Sequence, residues 1–254
     1  MFLVFPDSDA IARHLSARLT EIIRTDPRAV LGLATGGTME PIYARFVQDV
    51  LESKLDVSQV SSFNLDEYVG LAATHPQSYN FYMHQHLFNL LPFDESRLRL
   101  PDGLTTQLQQ HCQDYSDAIA AHGGVALQLL GVGTNGHIGF NEPGTPFDSR
   151  THVVELSERT RVDNSRFFDS MDEVPTSAIT MGIQDILSAH EIVLVVTGEH
   201  KARTMLNYQN GGTTEDLPFT ALKQHANVHI LLDEAAASLL DDTLCQRLPQ
   251  QTCA

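Results

Sequence analysis

At 254 residues, 42% of them hydrophobic, the chain has the size and apolar content of one large α/β domain, or of two small ones. Acidic residues outnumber basic ones 32 to 16, for a formal charge of −16. That argues against a nucleic-acid partner, which needs a basic face for the phosphates. It also makes any local group of cations notable, because an anionic ligand would have to be captured against the overall field. The three cysteines, Cys112, Cys245 and Cys253, are odd in number and lack CxxC or zinc spacing, so neither disulfides nor a structural metal is expected. The opening MFLVFPDSDA turns polar too soon for a signal peptide, and no apolar run is long enough to span a bilayer. These features predict a cytoplasmic protein with no membrane partner.

FLVF (2–5) reads as a strand, and Asp7 or Ser8 then caps a helix to about Ile23, with Ile11, Leu15, Leu19 and Ile22 at helical spacing. AVLGLA (29–34) is the next strand, followed by TGGT and a helix over about 40–53. SSFNL (61–65) predicts a strand ending at Asp66, with helices over about 78–89 and 105–121. VALQLLG (125–131) and EIVLVV (191–196) are continuous apolar runs, the pattern of central parallel strands covered on both faces. TGEHK and a helix follow the second run, and VHILL (228–232) predicts a last strand with a closing helix to about Leu240. The 141–180 stretch, rich in Pro, Asp, Ser, Thr and Arg, breaks the rhythm and predicts a lid insertion rather than a separate domain. The alternation predicts an open, mostly parallel, doubly wound sheet in a Rossmann-like three-layer sandwich, one domain over 1–254.

In such sheets the ligand sits beyond the carboxyl ends of the strands. Four unusual segments fall there. Thr35-Gly36-Gly37-Thr38 reads as a phosphate cradle of backbone N–H groups and hydroxyls at a helix start, or as a plain tight turn. Asp66-Glu67 offers a general base, or a cap for the next segment. GVGTNGHIGFNEPG (131–144) presents His137 on a glycine-rich loop, where an imidazole can relay protons to a sugar ring oxygen. Glu142 can fix its tautomer and Asn135 can orient the ring without adding charge, the alternative being a core histidine in a turn. Arg166 and Lys201 are candidate phosphate clamps, or solvated surface charges. His84, His86 and His111 read as surface or packing residues, since HQH lacks metal-ligand spacing.

The stretches LGLATGGT (31–38), SSFNLDEYVGL (61–71), HPQSYNFYMH (75–84), GVGTNGHIGFNEPG (131–144), SRTHVVELSERTRVDNSRFF (149–168) and GEHKA (198–202) resemble the glucosamine-6-phosphate deaminase family, in order and spacing, from about residue 1 to 240. The resemblance implies conversion of glucosamine 6-phosphate and water to fructose 6-phosphate and ammonia, in amino-sugar catabolism, with neither metal nor organic cofactor. It implies that Asp66 moves the proton between C2 and C1. His137 opens the ring with Glu142 as its carboxylate partner, and the 35–38 loop, Arg166 and Lys201 hold the phosphate. Many members carry Asp where Asn135 stands, which implies one carboxylate at the histidine rather than two and a less elevated imidazole pKa. Allosteric members bind N-acetylglucosamine 6-phosphate through basic residues where this chain has His152 and Val154, and the chain shows no extended C-terminal tail. It is therefore similar to the shorter branch without that activation, a monomer or small homo-oligomer. A galactosamine-6-phosphate deaminase and a 6-phosphogluconolactonase are the rival readings. The lactonase needs no base at C2 and usually lacks the FNEPG at 140–144.

Overall fold

The computed structural model describes residues 2–156, 158–165, 168 and 170–249. The strands are β1 (Phe2–Phe5), β2 (Val30–Leu33), β3 (Ser61–Asn64), β4 (Asp66–Tyr68), β5 (Leu98–Arg99), β6 (Leu127–Leu130), β7 (His152–Glu155), β8 (Ser177–Thr180), β9 (Ile192–Val196), β10 (Val228–Asp233) and β11 (Cys245–Arg247). The α-helices are α1 (Ser8–Thr25), α2 (Glu40–Ser53), α3 (Tyr79–His86), α4 (Leu108–Ala121), α5 (Glu158–Ser165), α6 (Ile183–Leu187) and α7 (Ala202–Asn210). Among the described residues, eight strands form one sheet in the order β11-β1-β10-β9-β6-β2-β3-β5. Every pairing in it is parallel.

The order fixes the layers. From β1 through β2 to β3 the chain moves toward one edge of the sheet, and from β6 through β9 to β10 it moves toward the other. Right-handed crossovers then place α1 and α2 on one face and α4, α6 and α7 on the opposite face. In keeping with this, α1 packs along α2. Helix α1 starts where Asp7 accepts the Ala10 N–H at 2.7 Å, and it buries Ile11, Leu15, Leu19 and Ile23 at near-helical spacing. Every residue of β6 and β9 is buried, as strands covered on both faces require. The chain reverses its winding between neighbours β2 and β6, so the loops leaving their carboxyl ends splay apart and leave a crevice.

Two features depart from the sequence expectations. Asp66 is not the tip of β3: after Leu65 the chain enters β4, which pairs antiparallel with β8, and β8 with β7, in a separate three-stranded sheet. The 141–180 stretch contains β7, α5 and β8. The closing helix to Leu240 does not form; residues 234–240 are turns. The Asp233 carboxylate accepts N–H groups from Ala236 and Gly198, and the Leu240 N–H donates to Ala237 O across a four-residue turn. The chain then reaches β11 beside β1.

Candidate active site

A cavity of about 520 Å³ opens at the crevice between β2 and β6. Thr35, Gly36 and Thr38 line it from the β2 loop, Asp66 from β4, His137 from the β6 loop and Lys201 from the loop after β9. Five of the sequence-predicted residues outside the Gly37 position thus meet with Lys201 around one space, whereas Gly37 is exposed beside it. Asn135 and Glu142 stand behind His137, and Arg166 lies outside the described residues.

The 35–38 loop leads directly into α2. That helix has no side-chain cap, and Pro41 in its first turn has no N–H to satisfy. Unsatisfied N–H groups and the positive pole of the helix therefore stand at the cavity wall, an arrangement that attracts anions. Tyr43 anchors the approach: its hydroxyl donates to Ala34 O at 2.5 Å and accepts the Ala34 N–H at 3.3 Å. Lys201 adds a cation across the cavity, and partial burial pulls its ammonium below the usual lysine range.

Asp66 is 6% exposed. Burial, and secondarily the neighbouring Glu67 carboxylate, push its pKa up to about 8. The two adjacent acids divide the two roles that the sequence left open. Glu67 accepts the N–H groups of Tyr68, Tyr79 and Asn80 at 2.8–3.0 Å and so caps the start of α3. Its pKa is also raised by burial, against the pull of those three donors. Asp66, on the alternate face of β4, points into the cavity.

Two glycines make room for the reactive groups. A Cβ at Gly133 would overlap the His137 ring, so the imidazole lies flat on bare backbone. Gly139, at φ +56, comes so near β4 that an added Cβ would sit 2.9 Å from Thr180 Oγ1 and 3.4 Å from Asp66 Oδ2. Thr180 faces Asp66 across the β4–β8 ladder and accepts the Phe140 N–H at 3.1 Å. Buried Asn141 donates to Ile138 O at 2.8 Å and Met181 O at 2.9 Å. The histidine loop is thereby fastened to the strands that hold the aspartate.

Glu142 Oε1 lies 3.6 Å from His137 Nδ1. Asn135 donates to the other oxygen, Oε2, at 2.7 Å, and its carbonyl accepts the His137 backbone N–H at 3.3 Å. These bonds tie Asn135 to the loop and to Glu142 rather than to the ring. The loop is held from behind as well: Thr204 Oγ1 donates to Thr134 O at 2.8 Å, Phe219 N to Gly136 O at 3.0 Å, and Gly144 N to Glu215 O at 2.9 Å.

Sequence reasoning assigned no role to Tyr79, Phe140 or Thr180. Tyr79 and Phe140 line the cavity, their rings stacked at 6.1 Å, and burial holds the Tyr79 phenol far above its usual pKa. The signal was present in HPQSYNFYMH and FNEPG, two motifs whose aromatic residues are not explained by core periodicity.

Comparison with known proteins fits this geometry. The family model for glucosamine-6-phosphate isomerases/6-phosphogluconolactonase matches residues 7–231. A glucosamine-6-phosphate deaminase of Rhodopirellula baltica is 50% identical over 238 residues, covering 94% of this chain and 95% of the relative. The chain belongs to the glucosamine-6-phosphate deaminase family. A solved structure of a monomeric glucosamine-6-phosphate deaminase superposes with a TM-score of 0.91 at 42% identity, covering 94% of this chain and all of the other (100%). A 6-phosphogluconolactonase from Trypanosoma brucei superposes at 0.73 with 18% identity, covering 94% and 98%, and shares the fold.

Proposed function

We propose that this protein is a glucosamine-6-phosphate deaminase, converting glucosamine 6-phosphate and water to fructose 6-phosphate and ammonia. The observation that carries the reading is one cavity holding a buried carboxylate with a pKa near 8, an imidazole and an anion-attracting helix pole. The phosphate rests on Thr35, Gly36, Gly37 and Thr38, with Lys201 opposite; Arg166 is assigned to the same anion from the sequence. This remote anchor places the sugar carbons beside the catalytic groups.

His137 carries the proton from the C1 hydroxyl to the ring oxygen as the C1–O bond of the ring breaks, which leaves an open-chain aldehyde. Glu142 and Asn135 are positioning residues for that imidazole. Asp66 then removes the C2 proton. The C–H electron pair forms the C1–C2 double bond of an enolamine as the carbonyl oxygen takes up a proton. Return of a proton from Asp66 to C1 leaves an imine at C2. Water adds to the imine, and ammonia departs as the ketone forms. A carboxylate with its pKa near working pH is a stronger base than ordinary aspartate yet remains partly ionised, the compromise that proton transfer at carbon needs. None of these steps requires a metal or organic cofactor.

The relatives that match at high identity carry the deaminase name, while the likeness to lactonases is one of fold. Both support deamination over lactone hydrolysis. Among the described residues no helix is long and apolar enough to cross a membrane. We place the enzyme in the cytoplasm as a monomer or small homo-oligomer, one domain whose 141–180 segment includes the lid. The test is ammonia release from glucosamine and galactosamine 6-phosphates, with 6-phosphogluconolactone as control. Ammonia from the glucosamine ester with no lactone hydrolysis is the expected result; lactone hydrolysis without ammonia overturns the reading.

A further inference from the structure

The Tyr82 hydroxyl donates to Gly36 O at 2.9 Å, reaching the anion turn from α3. The same carbonyl accepts the Met39 N–H at 2.9 Å, which closes the 36–39 turn. Gly36, at φ +110, is followed by a second glycine, so beyond the Met39 bond little in the local chain opposes rotation of the Gly36–Gly37 peptide plane, and the Tyr82 hydroxyl is the second restraint on it. In a trans peptide the carbonyl and the following N–H point in opposite directions. A carbonyl held toward α3 therefore turns the Gly37 N–H away from α3. Burial keeps the Tyr82 phenol protonated at any working pH, so the bond is always available. Tyr82 does not line the cavity, and its ring lies against His86 of the same helix, centroids 4.4 Å apart and planes tilted by 35°. The start of that helix, within a turn of Tyr82, is capped by Glu67, the neighbour of Asp66.

We infer that Tyr82 is a positioning residue for substrate phosphate: it fixes the Gly36–Gly37 peptide in its anion-binding orientation, and α3 is the strut between that turn and the strand of the base. The inference rests on the proposed function in taking the 35–38 turn as the phosphate site. The experiment compares wild-type enzyme with Tyr82→Phe, which keeps the ring and removes the hydroxyl. Three quantities are measured: KM and kcat for glucosamine 6-phosphate, the inhibition constant of inorganic phosphate, and amide hydrogen exchange over residues 35–39.

Loss of one hydrogen bond is expected to raise KM and the phosphate inhibition constant together by about fivefold. The value of kcat should stay within about twofold of wild type, because Asp66 and His137 are untouched. Exchange over 35–39 should quicken in the variant, and phosphate should slow it again in both proteins. Unchanged KM and inhibition constant in Tyr82→Phe overturn the inference, as does a fall in kcat with phosphate binding intact. If inorganic phosphate fails to inhibit the wild-type enzyme or to protect 35–39, the phosphate assignment itself falls, and the inference with it. That outcome is visible in wild type alone.

Discussion

The chemistry turns on what burial does to one carboxylate. Asp66 titrates near 8 in the folded protein and near 3.8 when the chain is unfolded. Between those values the native state holds a proton that the unfolded state releases, so this group's contribution to stability is complete below about pH 4 and is lost as pH rises through 8. Asp66→Asn removes the charge that burial penalises. The variant should gain melting temperature over wild type, with a gap that widens from pH 5 to pH 9 in thermal scans. Its deamination should fall by about 10²–10⁴-fold, the usual contribution of a positioned base. In wild type, kcat/KM should rise with pH toward 8, since this parameter reports the free enzyme. Neutralising the neighbouring acid with Glu67→Gln removes a repulsive charge, so the acid limb of that profile should move to lower pH. An unmoved limb would mean that desolvation alone sets the Asp66 value. The residues themselves offered the Asp66-Glu67 pair as a base or a cap, and only the family resemblance singled out Asp66. Which of two adjacent acids faces a cavity depends on the pleat of a three-residue strand, and the letters DEY do not reveal it.

Elements were legible in proportion to how local their causes are. The apolar runs of β6 and β9 declare buried parallel strands, and α1 declares itself by its Asp7 cap and its apolar spacing. The pairing of β4 with β8 joins segments remote in sequence, and neither carries an alternating pattern over enough residues to be read. The alanine-rich 234–240 segment suggests a helix by propensity, yet Asp233 and the approach to β11 bend it into turns. The consequence for function lies in β8, which supports both the base and the histidine loop through Thr180. Thr180→Val keeps the shape but strips the acceptor from the buried Phe140 N–H, at a cost of about 1–3 kcal/mol in urea unfolding. It should also lower kcat, because Gly139 packs against Thr180 and Asp66 together. Thr180→Ser, which retains the acceptor, should recover most of the loss in both measurements.

For the molecule as a whole, the site was legible because the winding reverses between β2 and β6, and the glycine-rich loops TGGT and GVGTNGH follow those two strands. The net charge of −16 works against capture of a phosphate dianion, while the attraction inside the cavity acts at short range. Salt screens the first more than the second, since the Debye length at 0.15 M is about 8 Å. Raising ionic strength from about 10 to 150 mM should therefore increase kcat/KM, by about twofold. With His152 and Val154 on β7, N-acetylglucosamine 6-phosphate should leave the substrate-saturation curve unchanged. The central claim is that a carboxylate from the small sheet and an imidazole from the large one act on a single bound sugar. Its most direct test is proton NMR of fructose 6-phosphate incubated with ammonium and enzyme in D2O. Wild type should replace one C1 hydrogen with deuterium, and Asp66→Asn should replace none while still being inhibited by phosphate. Exchange at the wild-type rate in Asp66→Asn would contradict the account.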